Sequence, residues 1–457
     1  MIGRARLPHG PGQAALMMFA LCLAGCSAPR VTEPDAGSAV DSGPAADSGD
    51  PDAGPVDAGP GDAGSADAGS LPVQLPALPL RTQGRWIVDA TGHRFKLASV
   101  NWYGAESQDY VVAGLDQSEL SAVARLIRTL GFNSVRLPWS NELVEHDPPV
   151  PARALAANPA LGGKSALEVL DAVVAALAHE GLLIILDNHV SRADWCCADN
   201  DGNGLWYTAE YPESKWLADW QSLAQRYVSQ PAVVAADLRN EPRSVLAAGC
   251  TTCTSCPCLT CACKTAAWGG ADATVDWHAA AQRGGNAVLA INANLLVIVE
   301  GVNYATDLGG AFSLPISLPV ANRLVYEAHD YAWDHSGLSN EQALFTDLGN
   351  RWGYLLVQGK PYTAPVWVGE FGTCHGSAAC VYDATGQGFW YHSLSNYLFN
   401  ADIDWGYWAL NGTQATGTGR TWGSEETYGV LDPGWREASL TQLLGSLKAL
   451  QPSSQGP

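Results

Sequence analysis

"VVAADLRNEP", residues 233–242, decides how the rest of the chain is read. It opens as an apolar run of Val and Ala and closes on Arg239, Asn240 and Glu241. An apolar run of this length suits a strand covered on both faces, as in parallel sheets. A polar end suits a strand that finishes at the mouth of such a sheet. Seven more stretches have the same form: "FKLASVNWYG", "NSVRLPW", "LLIILDNHV", "LLVIVEGV", "RLVYEAHDY", "APVWVGEFG" and "DWGYWALN". Helical patterns separate most of them, at 117–130, 165–180, 213–229, 274–292, 339–357, 385–400 and 437–450. The link from "EGV" to "RLVYEAHDY" carries Gly and Pro and gives no clear helix. Eight strands alternating with helices predict an α/β fold, a (β/α)8 TIM barrel, over residues 85–452. A doubly wound open sheet is the alternative, but no Gly-rich phosphate loop follows the first strand.

Arg136, His189, Asn240, Glu241, His329, Tyr331, Glu370 and Trp408 all fall at or just past the C-terminal ends of these runs. In a barrel those ends share one face, where active sites are built. Two carboxylates there, Glu241 after strand four and Glu370 on strand seven, are the equipment for glycoside hydrolysis. One gives a proton to the leaving oxygen while the other attacks or activates water. Opposite strands can bring the pair to roughly 5–5.5 Å, the spacing of a retaining mechanism. Arg136 is a candidate counter-ion for Glu370, which leaves Glu241 to carry the proton. Asn240 is placed to bond a sugar 2-hydroxyl.

Composition narrows the partners. Among 457 residues, 46 acidic side chains face 25 basic ones, a formal charge of -21 that repels nucleic acid and anionic lipid. A neutral sugar is indifferent to that field. The 17 Trp suit flat, partly apolar ligands. At the N-terminus, Arg4 and Arg6 precede the apolar run "AALMMFALCLAG", which is too short to span a bilayer and has a signal-peptide layout. "LAGC" at 23–26 resembles a bacterial lipobox, which implies a lipid on Cys26. An ordinary cleaved signal with an incidental Cys is the alternative. "DAG" then recurs at Asp35, Asp52, Asp57, Asp62 and Asp67 among Pro, Ser and Gly, a composition with almost nothing to bury. The expected organisation is a signal peptide at 1–25, a disordered acidic linker at 26–70 and a catalytic domain at 71–457.

"LRNEP", "VGEFGT", "VRLPW" and "AHDY", in that family's order along the chain, resemble glycoside hydrolase family 5, a retaining (β/α)8 family. "NWYGAES", "LWYT", "LAQRY" and "EGVNY" resemble its bacterial endo-β-1,4-glucanase branch, over residues 85–450. The resemblance implies Glu241 as acid/base and Glu370 as nucleophile, oriented by Arg136 and Tyr331. It also implies His189, Asn240 and His329 on the sugar at the cleavage subsite, Trp408 as the platform beneath it, and Trp102 as a platform for a more distant sugar. Trp139, Trp195, Trp206, Tyr207, Trp333 and Trp422 invite the same role but are as well explained by loop packing, and Trp216, Trp220 and Trp277 belong in the core. Leu410 stands where a second aromatic is expected, and "NGTQATGTGRTWGSEETYG" is longer than usual. Both departures touch remote sugar contacts.

Excluding Cys22 and Cys26, ten cysteines remain, an even number in an exported chain, which favours disulfides. Cys374 and Cys380 flank a short loop and suit a local bridge. Cys196 and Cys197 are placed to reach the cluster at 250–263 on the neighbouring loop. A zinc site is the weaker reading of that cluster, because its C-x2-C spacings overlap C-x-C and no His is near. The expected molecule needs no cofactor and no metal. It is a monomeric β-glucan hydrolase, exported and held at the cell surface or outer membrane through Cys26, or released to the medium. The same mechanism on mannan, xyloglucan or mixed-linkage glucan is the runner-up, and a non-catalytic glycan-binding lipoprotein is the reading from another class.

Overall fold

Eight parallel strands close into a barrel in the computed structural model, which describes residues 75–337 and 340–451. The expected signal segment at 1–25, Cys26 and the linker at 26–70 lie outside the described residues. The strands are β1 (Ala98–Asn101), β2 (Ser134–Ser140), β3 (Leu183–Val190), β4 (Val233–Asp237), β5 (Leu296–Glu300), β6 (Leu324–His329), β7 (Val366–Phe371) and β8 (Asp404–Tyr407). Each pairs with its neighbours in chain order, and β8 returns to β1 through Gly406 beside Ser99. The longer helices are α1 (Leu120–Leu130), α2 (Ala166–His179), α3 (Glu213–Arg226), α4 (Trp277–Ile291), α5 (Glu341–Arg351), α6 (Gly386–Asn400) and α7 (Thr441–Leu450). Between β5 and β6 the described chain forms a short 3-10 turn, Gly309–Phe312, and no α-helix, as the Gly- and Pro-containing link predicts.

Why these segments fold as they do is visible in their side chains. On α1, Leu120, Val123, Ala124, Ile127 and Leu130 recur every three or four residues and are all buried. The helix stops at Gly131, whose φ of 101° is open to glycine and whose N–H bonds back to Arg128. On α2, Ser165 and Glu168 form a reciprocal capping box. Strand residues alternate between two apolar clusters: Ile184, Leu186, Val297 and Val299 face the helices, while Leu183, Ile185, Leu296 and Ile298 face inward. The inward set is closed from below by Leu80, Ile87 and Leu97, around an antiparallel hairpin of Arg81–Gln83 and Trp86–Val88. That hairpin extends the fold before the first expected strand.

A second hairpin, Ser244–Leu246 with Cys263–Thr265, rises between β4 and α4 and carries the cysteine cluster. Its bridges are Cys250–Cys261, Cys253–Cys258 and Cys256–Cys263. Cys374–Cys380 bridges its own loop, as expected. Cys196 and Cys197 do not reach the cluster; they are bonded to each other. The inter-loop bridge expected from adjacency is absent because the six cluster cysteines satisfy one another within fourteen residues. Among the described residues, no helix is long and apolar enough to cross a membrane.

Candidate active site

The inward-facing positions change character up the barrel. β3 points Leu183, Ile185, Asp187 and then His189 toward the axis; β6 points Val325, Glu327 and then His329; β5 points Leu296, Ile298 and then Glu300. An apolar floor is thus followed by a layer of carboxylates and then by the polar mouth. Arg136 from β2 holds the middle layer together and is fully buried. Its Nη1 donates to Glu370 Oε1 at 2.6 Å and to Asn101 Oδ1 at 3.1 Å. Its Nη2 donates to Asp237 at 2.7 Å, Asn240 Oδ1 at 3.0 Å and Glu300 Oε1 at 3.1 Å. Asp187 lies 3.2 Å from the same nitrogen, and Glu327 lies 3.8 Å from Nε. Gly369 leaves the room that Glu327 occupies, since a Cβ there would meet its carboxyl at 1.8 Å.

Five carboxylates around one guanidinium cannot all be charged in a dry interior. Burial pushes Asp187 up to about 7, against the pull of Arg136, and Asp237 up to about 6. Burial and the neighbouring Asp237 push Glu300 and Glu327 well above the usual carboxylate range. Arg136 is also shifted upward, which keeps it charged: burial opposes its charge, but Asp187, Asp237, Glu327 and Glu370 together outweigh that.

Above this layer the two expected glutamates converge. One oxygen of Glu241, one of Glu370 and a nitrogen of His329 all lie within 4.8 Å of one another. His329 Nδ1 sits between them, 3.0 Å from Glu241 Oε1 and 3.7 Å from Glu370 Oε2. The hydroxyl of Tyr331 donates to Glu370 Oε2 at 3.1 Å. Burial raises the Glu241 carboxyl above its ordinary value, the direction a proton donor needs. Burial lowers His329 to about 4 and His189 to about 3, so both imidazoles are neutral at ordinary pH and their carboxylate contacts are hydrogen bonds. Glu241 itself has a φ of 48°, and its backbone N–H donates to Glu300 Oε2 at 2.7 Å. The acid layer therefore fixes the main chain of one glutamate and, through Arg136, the side chain of the other.

Asn240 is clamped at Oδ1 by Arg136, and His189 Nδ1 lies 2.6 Å from Asp187. The Trp408 ring lies parallel to His189 and to Tyr103, and its exposed edge reaches the cleft of about 570 Å³ that also holds both glutamates. Eight of the nine expected catalytic and sugar-contact residues are thus brought together. Trp102 is not: its ring has no exposed surface, its Nε1 donates to Ala113 O, and it packs toward Trp435. Lying one residue past β1, it points outward into the packing between barrel and loops. Trp139 and Trp206 are also fully buried, whereas Trp195 and Trp333 line the cleft, Trp333 being 61% exposed and stacked on Tyr331. Asp187, Asp237, Glu300 and Glu327 were not anticipated. A signal existed, because Asp187 and Glu327 stand two residues before His189 and His329 and so share their strand face.

The family described as Cellulase (glycosyl hydrolase family 5) matches residues 88–414. An endoglucanase of Paenibacillus polymyxa is 33% identical over 354 residues, which is 72% of this chain and 79% of that one. The major extracellular endoglucanase of Xanthomonas campestris pv. campestris is 30% identical over 366 residues, 77% of this chain and 67% of that one. The crystal structure of its catalytic domain superposes with a TM-score of 0.66 at 26% identity, covering 82% of this chain and all of that one. An endocellulase of Pyrococcus horikoshii, solved with cellotetraose, gives a TM-score of 0.66 at 25% identity over 83% of this chain. The chain belongs to glycosyl hydrolase family 5 and is a glycoside hydrolase.

Proposed function

We propose that the protein is a retaining endo-β-1,4-glucanase acting on cellulose and related β-1,4-glucans. The observation that carries this reading is the approach of one oxygen of Glu241 and one of Glu370 to within 4.8 Å, which suits the roughly 5–5.5 Å of double displacement and falls short of the roughly 6.5–9.5 Å of an inverting site. Glu370, held at both oxygens by Arg136 and Tyr331, attacks the anomeric carbon. Glu241, whose carboxyl burial shifts upward from its ordinary value, gives its proton to the departing glycosidic oxygen. The resulting glycosyl ester on Glu370 is then hydrolysed by a water that Glu241 deprotonates. Asn240 offers its amide to the 2-hydroxyl, while His189 and His329 hold the sugar as neutral groups. Trp408 forms the wall beside it. That relatives are endoglucanases, one of them solved with cellotetraose, supports a β-1,4-glucan as substrate.

We further propose that the protein works as a monomer, exported and anchored by a lipid on Cys26, with the acidic segment at 26–70 between the lipid and the catalytic domain. Five disulfides among the described residues support an oxidising compartment. Intact mass of the membrane fraction would reveal the lipid, and an unmodified Cys26 in the mature chain would sink the anchor. For the activity, reducing-sugar release is measured on soluble cellulose derivatives, β-mannan, xyloglucan and xylan, with Glu370→Gln as the blank. Release from the cellulose derivative, lost in the variant, is expected. Release from another polymer alone would keep the mechanism and overturn the substrate.

A further inference from the structure

The disulfide between Cys196 and Cys197 is the one bridge among those described that lines the catalytic cleft. It stands on the loop after β3, and its two sulfurs meet the groups that the reading above gives to the sugar. Asn240 Nδ2 lies 3.5 Å from Cys196 Sγ and 3.4 Å from Cys197 Sγ. His189 Nε2 lies 3.4 Å from Cys196 Sγ. Neither nitrogen has another partner among the described residues, although the far side of each group is firmly held, Asn240 by Arg136 and His189 by Asp187.

Sulfur is a weak acceptor. An amide nearly buried against it is oriented but only partly satisfied, and a desolvated donor in that state gains when a real acceptor arrives. An oxygen acceptor in the same place would occupy the amide and compete with substrate. Closure of two adjacent residues into a small ring also denies their side chains other rotamers, so the surface stays put when the cleft is empty. Trp195, the preceding residue, is held under Arg420 at 4.0 Å and edge-on to Tyr103, which anchors the loop from the other side.

We propose that the Cys196–Cys197 disulfide is a specificity-determining wall of the cleavage subsite, which keeps the Asn240 amide and the His189 imidazole available to the sugar and makes the enzyme sensitive to the sugar's 2-hydroxyl. This rests on the reading of the site as a β-glucoside hydrolase. The test uses an aryl β-cello-oligoside and its analogue lacking the 2-hydroxyl on the sugar to be cleaved. The full chain, the Cys196→Ala/Cys197→Ala double variant and a Cys374→Ala/Cys380→Ala control are compared. Removing the cleft disulfide is expected to lower kcat/KM about tenfold on the complete substrate and less than twofold on the deoxy analogue. The control is expected to fall equally little on both. A Cys196→Ser/Cys197→Ser variant, which offers the amide hydroxyl acceptors, is expected to fall further than the Ala variant on the complete substrate alone. If the double variants do not fold, the wild type opened by a phosphine, with the reduced cysteines mapped by alkylation, gives the same comparison. Equal losses on both substrates, or none, would overturn the inference while leaving the glucanase reading intact. A wild type that cleaves neither substrate would overturn that reading and this inference with it.

Discussion

The barrel's middle layer and the cysteine hairpin order their polar chain by opposite means. In the barrel, Asp187, Asp237, Glu300 and Glu327 from four strands share one arginine, and the same arginine grips Glu370 and Asn240. Structure and chemistry there are one network, so a change in one member reaches the others. Around 250–263 the chain has little to bury, Leu259 being fully exposed, and three bridges supply the order covalently. That region is stapled locally and shares no hydrogen bond with either glutamate. The comparison teaches that order near an active site need not be order for it.

The two regions differ in what breaks when each is cut. Replacing Arg136 by Lys keeps a charge but loses the fork that reaches five carboxylates. It is expected to cost roughly 3–5 kcal/mol of stability, as removal of one partner from a buried ionic cluster does, together with about a thousandfold or more of kcat. Denaturant unfolding and kinetics on a soluble cellulose derivative measure both. Loss of activity at full stability would show that the network is not shared.

Glu241→Gln tests the mouth without touching the layer beneath. Its kcat should fall by about 10²–10⁴ on substrates that need a proton on the leaving group. On an aryl glycoside whose leaving group needs none, the first step should be nearly spared. Equal loss on both would remove Glu241 from the acid role.

Asp187→Asn reads the layer's charge state. Burial holds the folded carboxyl at about 7, whereas in an unfolded chain it ionises near 3.9. The folded state therefore keeps a proton that the unfolded state has released, and stability drains away as pH rises between those values. Asn does not ionise, so the variant should gain stability relative to wild type as pH rises from about 4 to about 7, by on the order of a few kcal/mol. A pH-independent difference in melting temperature would contradict the raised value.

The smallest effect is expected from the staples. Changing the six cluster cysteines to Ser removes short loop closures worth roughly 2–3 kcal/mol each at most by chain entropy, against a loop that can open without the barrel. Protease cutting between 250 and 263 should appear, with kcat within about threefold of wild type on a short substrate. A collapse of kcat would bind the two regions together after all.

What the sequence made legible follows the same divide. The strand runs and the residues at their ends could be read because buried parallel strands are almost continuously apolar, so a polar residue such as His189 or Glu370 marks where a strand leaves cover. The missing helix between β5 and β6 was legible from Gly and Pro. The four buried acids were hidden because a charged residue inside a strand reads as a boundary until its inward partner, Arg136, is known. Trp102 was misplaced because one step past a strand end suffices to turn a side chain from the cleft into the packing. The pairing of Cys196 with Cys197 could not be derived, since spacing leaves connectivity open.

The central claim is that Glu370 carries the sugar. Incubating the protein with a 2-deoxy-2-fluoro-β-cellobiosyl fluoride slows the second step and should leave one cellobiosyl-sized adduct, located by peptide mass spectrometry on Glu370. An adduct on Glu241, or an active enzyme that takes no adduct, would contradict the account.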